Sequence, residues 1–164
     1  MRVRRAEVND IPKMLEIDRQ SSSAHWSQRH YLNLFTDAKN ESGEREDSLE
    51  RFAWVAEIEP PNEAAATPGD IRAFIVASKV DADWELENII VTTDSRRKNI
   101  GDRLLRELIS YARSLNGFQI WLEVRRSNEV ARAFYRSAGF EENGVRNDYY
   151  SGPTEDAILY RLVL

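Results

Sequence analysis

The stretch from Trp84 to Leu115 constrains the fold more than any other part of the sequence. Trp84–Thr92 is largely apolar and ends in Ile-Ile-Val, which indicates a buried strand. A short turn follows, and it contains three consecutive cations at Arg96–Lys98. Apolar residues then recur at helical spacing through Ile100–Leu115, at Leu104, Leu105, Leu108, Ile109, Ala112 and Leu115. A strand, a basic turn and an amphipathic helix in this order predict an α/β fold.

The start of this helix is also a candidate anion site. The first N–H groups of a helix have no partner within it, and the helix dipole adds partial positive charge there. With Arg96–Lys98 in front, these groups suit a phosphate or pyrophosphate. Gly101 would let a ligand approach closely because it lacks a Cβ, and Asn99 tolerates a left-handed backbone. The alternative is a solvated basic loop, and the sequence has neither a Walker loop nor a Gly-x-Gly-x-x-Gly pattern.

The rest of the chain continues the α/β pattern, with no internal repeat and no visible domain boundary, so we expect a single domain over residues 1–164. Helix starts are indicated by Asn9–Pro12, by Ser27, and by Ser127 or Asn128. Asp37–Glu50 is acidic and is expected to be a solvated loop. Pro60–Asp70 is expected to be a long hairpin loop. The further segments expected to form strands are Met1–Glu7, Phe52–Ile58, Ile71–Val80, Phe118–Val124 and Ala157–Leu164. The predicted order is roughly βααβββαβαββ, with a mixed sheet.

Composition narrows the class of protein further. The net charge of −5 argues against direct binding of nucleic acid by the whole surface. No apolar run is long enough to span a membrane, and the first residues lack the apolar region of a signal peptide, so we expect a cytoplasmic protein. There is no cysteine, and the two histidines, His25 and His30, are spaced too far apart for a shared helix face. We therefore expect no metal site.

Two groups of motifs resemble the GNAT acetyltransferases. Arg96–Gly101 resembles the Gln/Arg-x-x-Gly-x-Gly/Ala motif of that family, with Asn99 in place of its first glycine. Trp121–Asn128 and Ala133–Phe140 resemble the branch that acetylates ribosomal-protein alanine, the RimI type. The pair Tyr149-Tyr150 and the run His25-Trp26-Ser27 are also similar to segments of that branch. The resemblance covers Glu85–Leu164 in detail and the first 80 residues only in outline.

The resemblance implies a fold and a cofactor. The fold is a mixed central sheet, flanked by helices and splayed between its fourth and fifth strands, with acetyl-CoA in the cleft. The backbone of Ile89, Ile90 and Val91 would face the acetyl and pantetheine groups, and Asn128 would bond to the pantetheine arm. The pyrophosphate would be held by the loop and first helical turn, which comprise Arg96, Arg97, Lys98, Asn99, Ile100, Gly101 and Asp102. Asp102 adds a negative charge to that loop.

Acetyl transfer to an amine needs a base, donors for the oxyanion, and a proton for the departing thiolate. Glu123 is the candidate base, because it lies in an otherwise apolar strand where desolvation would favour proton uptake. The alternative is a structural ion pair with Arg125, Arg126 or another cation. Tyr135 is the candidate acid, and core packing beside Phe134 is its alternative. A backbone N–H near Ile90 or Val91 would serve the oxyanion of a tetrahedral intermediate.

The acceptor that the resemblance implies is the N-terminal α-amine of a protein or peptide, typified by a ribosomal protein that begins with alanine. Trp26, Tyr149 and Tyr150 are candidates for an aromatic rim around it, although ordinary sheet contacts are an equal explanation. The acidic segment Asp37–Glu50 would attract a basic tail, but a plain solvated loop is favoured. The alternatives are an acetyltransferase for a small amine or a lysine side chain, and a GNAT-shaped binding module without catalysis.

Overall fold

The computed structural model describes residues 1–21, 25–35, 49–58 and 70–164. The predicted element order is confirmed, and the hypotheses on residues 36–48 and 59–69 lie outside the described residues. Two 3₁₀ turns, Val8–Asp10 and Thr93–Ser95, precede α1 and α3. The helices and strands are β1 Arg2–Arg5, α1 Ile11–Ser21, α2 Gln28–Leu32, β2 Glu50–Ile58, β3 Asp70–Val80, β4 Asp83–Val91, α3 Ile100–Ser114, β5 Gln119–Arg125, α4 Glu129–Ser137, β6 Glu141–Tyr150 and β7 Glu155–Val163.

The described strands form one sheet in the order β1-β2-β3-β4-β5-β7-β6. Neighbouring strands run antiparallel except for β4 and β5, which are parallel. These two strands pair only over Asp83–Glu85 and Gln119–Trp121, and the remainder of each strand has no partner in the other. The sheet therefore opens between β4 and β5, which confirms the predicted splay and leaves a cleft beyond Glu85.

A β-bulge in β4 changes which residues face each side of the sheet. Leu86 pairs with Ala77 and Asn88 pairs with Val76, so Glu87 is the extra residue. Before the bulge, the even-numbered Trp84 and Leu86 pack in the core under α3. After it, the odd-numbered Ile89 and Val91 pack against that core, while Ile90 joins the core under α1.

Each face of the sheet is covered by one pair of helices. The faces of α3 and α4 pack on a core that includes Trp54, Trp84, Leu104, Ile120 and Tyr160. On the other face, α1 and α2 pack on a smaller core that includes Met14, Ile17, Tyr31, Phe74 and Ile90. The two cores lie on opposite sides of β3 and β4, so both strands are packed on both faces where β4 forms the edge of the cleft.

The end of α3 depends on two adjacent residues with different requirements. Asn116 takes the left-handed conformation, with φ of 56°, and the Gly117 N–H donates to the Ala112 carbonyl at 2.8 Å. Gly117 has an ordinary φ but no room for a side chain. A Cβ there would lie 2.7 Å from Trp84 Nε1 and 2.9 Å from both the Ala112 oxygen and Leu164 Cδ1. Helix α3 and the strand pairing at Trp84 are therefore packed together through this glycine.

Candidate active site

The cleft between β4 and β5 lies next to the first turn of α3. Gly101 is the second residue of α3, and a Cβ built on it would lie 3.6 Å from Val91 Cγ2 and 3.6 Å from Phe134 Cζ. Val91 ends β4 and Phe134 belongs to α4. The missing side chain of Gly101 therefore faces the gap between the end of β4 and α4, and no protein contact there requires glycine.

The loop before α3 has an unusual backbone. Arg97 and Asn99 both take left-handed conformations, with φ of 60° and 58°, and Asn99 is the N-cap residue of α3. The expected tolerance of Asn99 for this conformation is confirmed. The turn leads directly into α3, whose first N–H groups have no partner within the helix.

The three cations of this loop have different surroundings. The Arg96 side chain donates to the Val91 carbonyl and to the Ser21 carbonyl, both at 3.3 Å, so its guanidinium ties the end of α1 to the end of β4. Arg97 and Lys98 are exposed. Asp102, whose charge faces the same helix start, forms an ion pair of 3.0 Å with Arg106 one turn later. Its negative charge is therefore partly balanced within α3.

Asn128 is the cap of α4, as one of the two predicted alternatives. Its Oδ1 accepts a hydrogen bond from the Ala131 N–H at 3.1 Å. Among the described residues its Nδ2 makes no hydrogen bond, so the amide can still donate to a ligand. The capping role alone accounts for an asparagine here.

Glu123 lies midway along β5, on the face opposite α3, and 19% of its side chain is exposed. Its Oε1 pairs with Arg146 Nη1 of β6 at 2.8 Å. Arg125 and Arg126, the neighbours considered from the sequence, instead pair with Glu155 at 3.2 Å and Asp156 at 2.9 Å. The cation beside Glu123 therefore comes from a strand 23 positions later in the chain, across β7.

Two tyrosines of β6 lie close to Glu123. The rings of Tyr149 and Tyr150 meet edge to face, with centroids 5.1 Å apart. Interaction with the Glu123 carboxylate, followed by burial, raises the pKa of Tyr149. Burial, followed by the charges of Glu123 and Tyr149, raises the pKa of Tyr150 to about 12. The structure therefore brings together Glu123, Tyr149 and Tyr150, three of the residues singled out in the sequence.

Tyr135 is a core residue of α4 that also reaches this group. It is 8% exposed, and its ring centroid lies 5.8 Å from that of Phe140 and 6.2 Å from that of Tyr160. Burial, followed by the charge of Tyr150, raises the pKa of Tyr135 well above its usual range. Tyr135 is therefore packed in the core, as its alternative explanation requires. It also interacts electrostatically with Tyr150, which in turn interacts with Glu123.

A cavity of about 260 Å³ opens beside Glu123, on the face of the sheet that α3 does not cover. Its walls include Ser78, Glu85, Trp121, Glu123 and Arg146. Glu85 was not predicted as a site residue. The residue is exposed, yet desolvation at the cavity wall, with the charges of Glu87 and Glu123, raises the pKa of its carboxyl. Glu85 alternates with the apolar residues Trp84 and Leu86, and this alternation is the sequence signal that could have placed it on the face opposite the core.

Trp26 lies apart from the tyrosine pair. Its backbone N–H donates to the buried Asp18 carboxylate at 2.8 Å, and its ring packs on Tyr31 with centroids 5.6 Å apart. Within the described ranges, no ring contact joins Trp26 to Tyr149 or Tyr150. Of the three residues predicted to form an aromatic rim, only Tyr149 and Tyr150 contact each other.

No group of three or more potential metal ligands is found in residues 1–21, 25–35, 49–58 and 70–164. Over the same ranges, no helix is long and apolar enough to cross a membrane.

The site thus combines a sheet that parts between β4 and β5 with a left-handed turn that opens α3 beside the gap. The model of the acetyltransferase (GNAT) family matches residues 11–140. The chain belongs to this family, and it is an N-acetyltransferase by class.

Its relatives narrow the comparison. The [ribosomal protein bS18]-alanine N-acetyltransferase of Escherichia coli K12 is 32% identical over 160 residues, which cover 95% of this chain and 93% of that protein. The N-alpha-acetyltransferase RimI of Mycobacterium tuberculosis is 42% identical over 79 residues, 48% of each chain. The crystal structure of the Escherichia coli ribosomal-protein-S18-alanine N-acetyltransferase superposes with a TM-score of 0.76 at 27% identity, covering 99% of this chain and 92% of that one.

Proposed function

We propose that the chain transfers the acetyl group of acetyl-CoA to the N-terminal α-amine of a protein or peptide, typically one that begins with alanine. The observation that carries this proposal is the position of Glu123, which lies on the edge of the splayed cleft beside Tyr149 and Tyr150. A carboxylate flanked by two aromatic side chains suits a cationic amine on a flexible peptide end. The similarity to enzymes named for ribosomal-protein alanine supports the same acceptor, which would place the activity in the cytoplasm.

The cleft fits acetyl-CoA at the start of α3. The first turn of α3 would take the pyrophosphate, and the N–H groups of Gly101 and Asp102 would donate to it. Arg97 and Lys98 would add charge from the exposed side of the loop, whereas Arg96 would act through its backbone because its side chain is committed to two carbonyls. Ile89–Val91 and Asn128 would bond to the pantetheine arm.

Different residues of the site would carry out the separate steps of acetyl transfer. The thioester of acetyl-CoA supplies an activated acetyl group. Glu123 would take the proton that the acceptor ammonium must lose, because an ammonium has no lone pair. Beyond Glu85, β4 has no strand partner on its β5 side among the described residues, so backbone N–H groups near Ile90 or Val91 would stabilise the oxyanion.

Tyr135 would give a proton to the departing sulfur. Because its pKa lies above the usual range, the phenol keeps its proton near neutral pH and can act as a donor. We expect Tyr135→Phe to lower kcat about 100-fold, the lower end of the range for a general acid, with little change in the affinity for acetyl-CoA. For the wild type, we expect no loss of kcat on the alkaline side up to about pH 10, because the pKa of this phenol is raised. Steady-state rates measure kcat and its pH dependence, and calorimetry measures the affinity for acetyl-CoA.

The matched control is Tyr111→Phe, which removes a hydroxyl from another ring on the same face of the sheet. It should leave kcat unchanged, because Tyr111 packs with Phe52, Trp54 and Trp84 away from the cleft. Wild-type turnover in the Tyr135→Phe variant would assign that tyrosine to packing alone.

The acceptor is tested with a panel of peptides at fixed acetyl-CoA. The panel contains peptides with free N-termini that begin with alanine or with other residues, lysine peptides with blocked N-termini, and polyamines. We expect turnover on free N-termini, with alanine preferred. Turnover only on lysine peptides or polyamines would replace the proposed acceptor, and calorimetry without acetyl-CoA binding would favour a non-catalytic module.

A further inference from the structure

The wall of the cavity beside Glu123 contains an unequal set of charges. Asp83, Glu85 and Glu123 line it, and Arg146 is the one cation among its lining residues. Asp83 lies toward the paired ends of β4 and β5, where its Oδ1 accepts a hydrogen bond from Gln119 at 3.0 Å. The Arg146 guanidinium reaches Glu123 from β6, with 55% of its side chain exposed, and its Cζ lies 5.4 Å from the centre of the Tyr149 ring. The ion pair thus lies at the mouth of the cavity, where water or a ligand can reach it.

The charged and titratable groups around Glu123 come from five strands. Most of them are already paired. Glu87 of β4 pairs with Arg51 of β2 at 3.2 Å, and Glu155 of β7 pairs with Arg125 of β5 at 3.2 Å. Among the described residues, Glu85 has no ion pair of its own, and Glu123 pairs only with Arg146. The groups on this face are Arg51, Asp83, Glu85, Glu87, Arg125, Arg146, Tyr149, Tyr150, Glu155 and Arg161.

This arrangement places two carboxylates in electrostatic contact with a single shared cation. Like charges in one site oppose each other's ionisation, and a nearby opposite charge restores it. Arg146 acts on both, because its charge lowers the pKa of Glu85, against the desolvation and like charges that raise it, and its Nη1 contacts Glu123 directly. Without Arg146, the Glu123 carboxylate would share the cavity wall with Glu85 and lose the cation that contacts it at 2.8 Å.

We propose that Arg146 is a positioning residue, which holds Glu123 ionised and fixed through Oε1 against the charge of Glu85. The other carboxylate oxygen of Glu123 then remains available to bind the acceptor ammonium and take its proton. The catalytic part of this inference rests on the proposed function. The electrostatic part concerns the free protein and does not require an acceptor.

The test follows the ionisation of Glu123 directly. Carbon-13 NMR of labelled glutamate carboxyls, with the Glu123 signal assigned by its loss in Glu123→Gln, gives a titration midpoint in the free protein. We expect Arg146→Gln to move that midpoint upward by about one pH unit, the lower end of the range for loss of an adjacent opposite charge, because Arg146 is half exposed. The acid limb of kcat/KM for peptide acetylation should move by the same amount, and Arg146→Lys should restore most of the shift.

Two further variants separate this effect from a structural one. Arg161→Gln is the matched control, because Arg161 stacks on Trp121 on the same face and forms no ion pair with Glu123. It should leave the midpoint unchanged. The double variant Glu85→Gln with Arg146→Gln should return the midpoint toward the wild-type value, because the competing carboxylate is also gone.

The outcomes distinguish the two proposals. An unchanged Glu123 midpoint in a folded Arg146→Gln variant would overturn the inference, as would a double variant whose midpoint stays as high as that of Arg146→Gln. A shifted midpoint in a protein that acetylates no free N-terminus would support the role of Arg146 and reject the proposed acceptor. Thermal melting of each variant establishes that it is folded.

Discussion

Replacement of Glu123 by glutamine is expected to lower kcat/KM for peptide acetylation about 100- to 1000-fold near neutral pH. Glutamine keeps the size of the side chain and can still accept a hydrogen bond from Arg146, so the strand should remain intact. It cannot take a proton from the acceptor ammonium. Initial rates at several pH values, with an alanine peptide and saturating acetyl-CoA, measure this effect.

The deficit should shrink as pH rises, because a free α-amine has a pKa of about 8 and loses its proton to water without help. At about pH 9 we therefore expect a smaller difference between Glu123→Gln and the wild type. Glu107→Gln on the exposed face of α3 is the control and should retain the wild-type rate. A deficit of equal size at every pH would argue that Glu123 binds the acceptor without removing its proton.

Replacement of Gly117 by alanine is expected to lower the free energy of unfolding by about 2 kcal/mol, the middle of the range for overpacking a well-packed core. The new Cβ would be 2.7 Å from Trp84 Nε1 and 2.9 Å from the Ala112 carbonyl. Trp84 is 1% exposed and paired with Ile120 in the sheet, so neither the ring nor the helix backbone can move freely. Urea denaturation, followed by circular dichroism, measures the change.

Gly101→Ala is the matched control, because it makes the same chemical change in a different environment. Its Cβ would lie 3.6 Å from its nearest neighbours, an ordinary contact, and alanine is the better helix former. We expect stability within about 0.5 kcal/mol of the wild type, while the added methyl narrows the proposed cofactor site. Equal stability of the two variants would show that the chain near Gly117 yields to the new methyl group.

Much of the fold could be predicted from local patterns. Apolar periodicity and caps identified the element order, because each strand and helix carries its own period and its own end signals. Asn128 and Gly139 mark the two ends of α4, and Asn99 marks the turn before α3. The splay between β4 and β5 came from the resemblance to a family, since no local pattern records where two parallel strands part.

The parts of the site that the sequence did not predict depend on contacts between distant strands. Glu123 and Arg146 meet only because β7 returns between β5 and β6, so spacing along the chain gives no sign of the pair. Glu85 faces the same cavity for a similar reason, across the short β4–β5 pairing. The three cations of Arg96–Lys98 look equivalent in the sequence, yet Arg96 alone bonds to two backbone carbonyls.

The bulge at Glu87 divides β4 into two parts: even-numbered residues face α3 before it, and odd-numbered residues face α3 after it. Alternation that places Trp84 and Leu86 under α3 would, in a regular strand, place Asn88 and Ile90 there as well. The extra residue shifts the phase by one, so Ile89 and Val91 take that side and Ile90 the other. Deletion of one residue at this position would exchange the two sides for every residue beyond it, at the same edge where the cleft begins. The length of β4, and not only its composition, therefore encodes which backbone groups face the cleft.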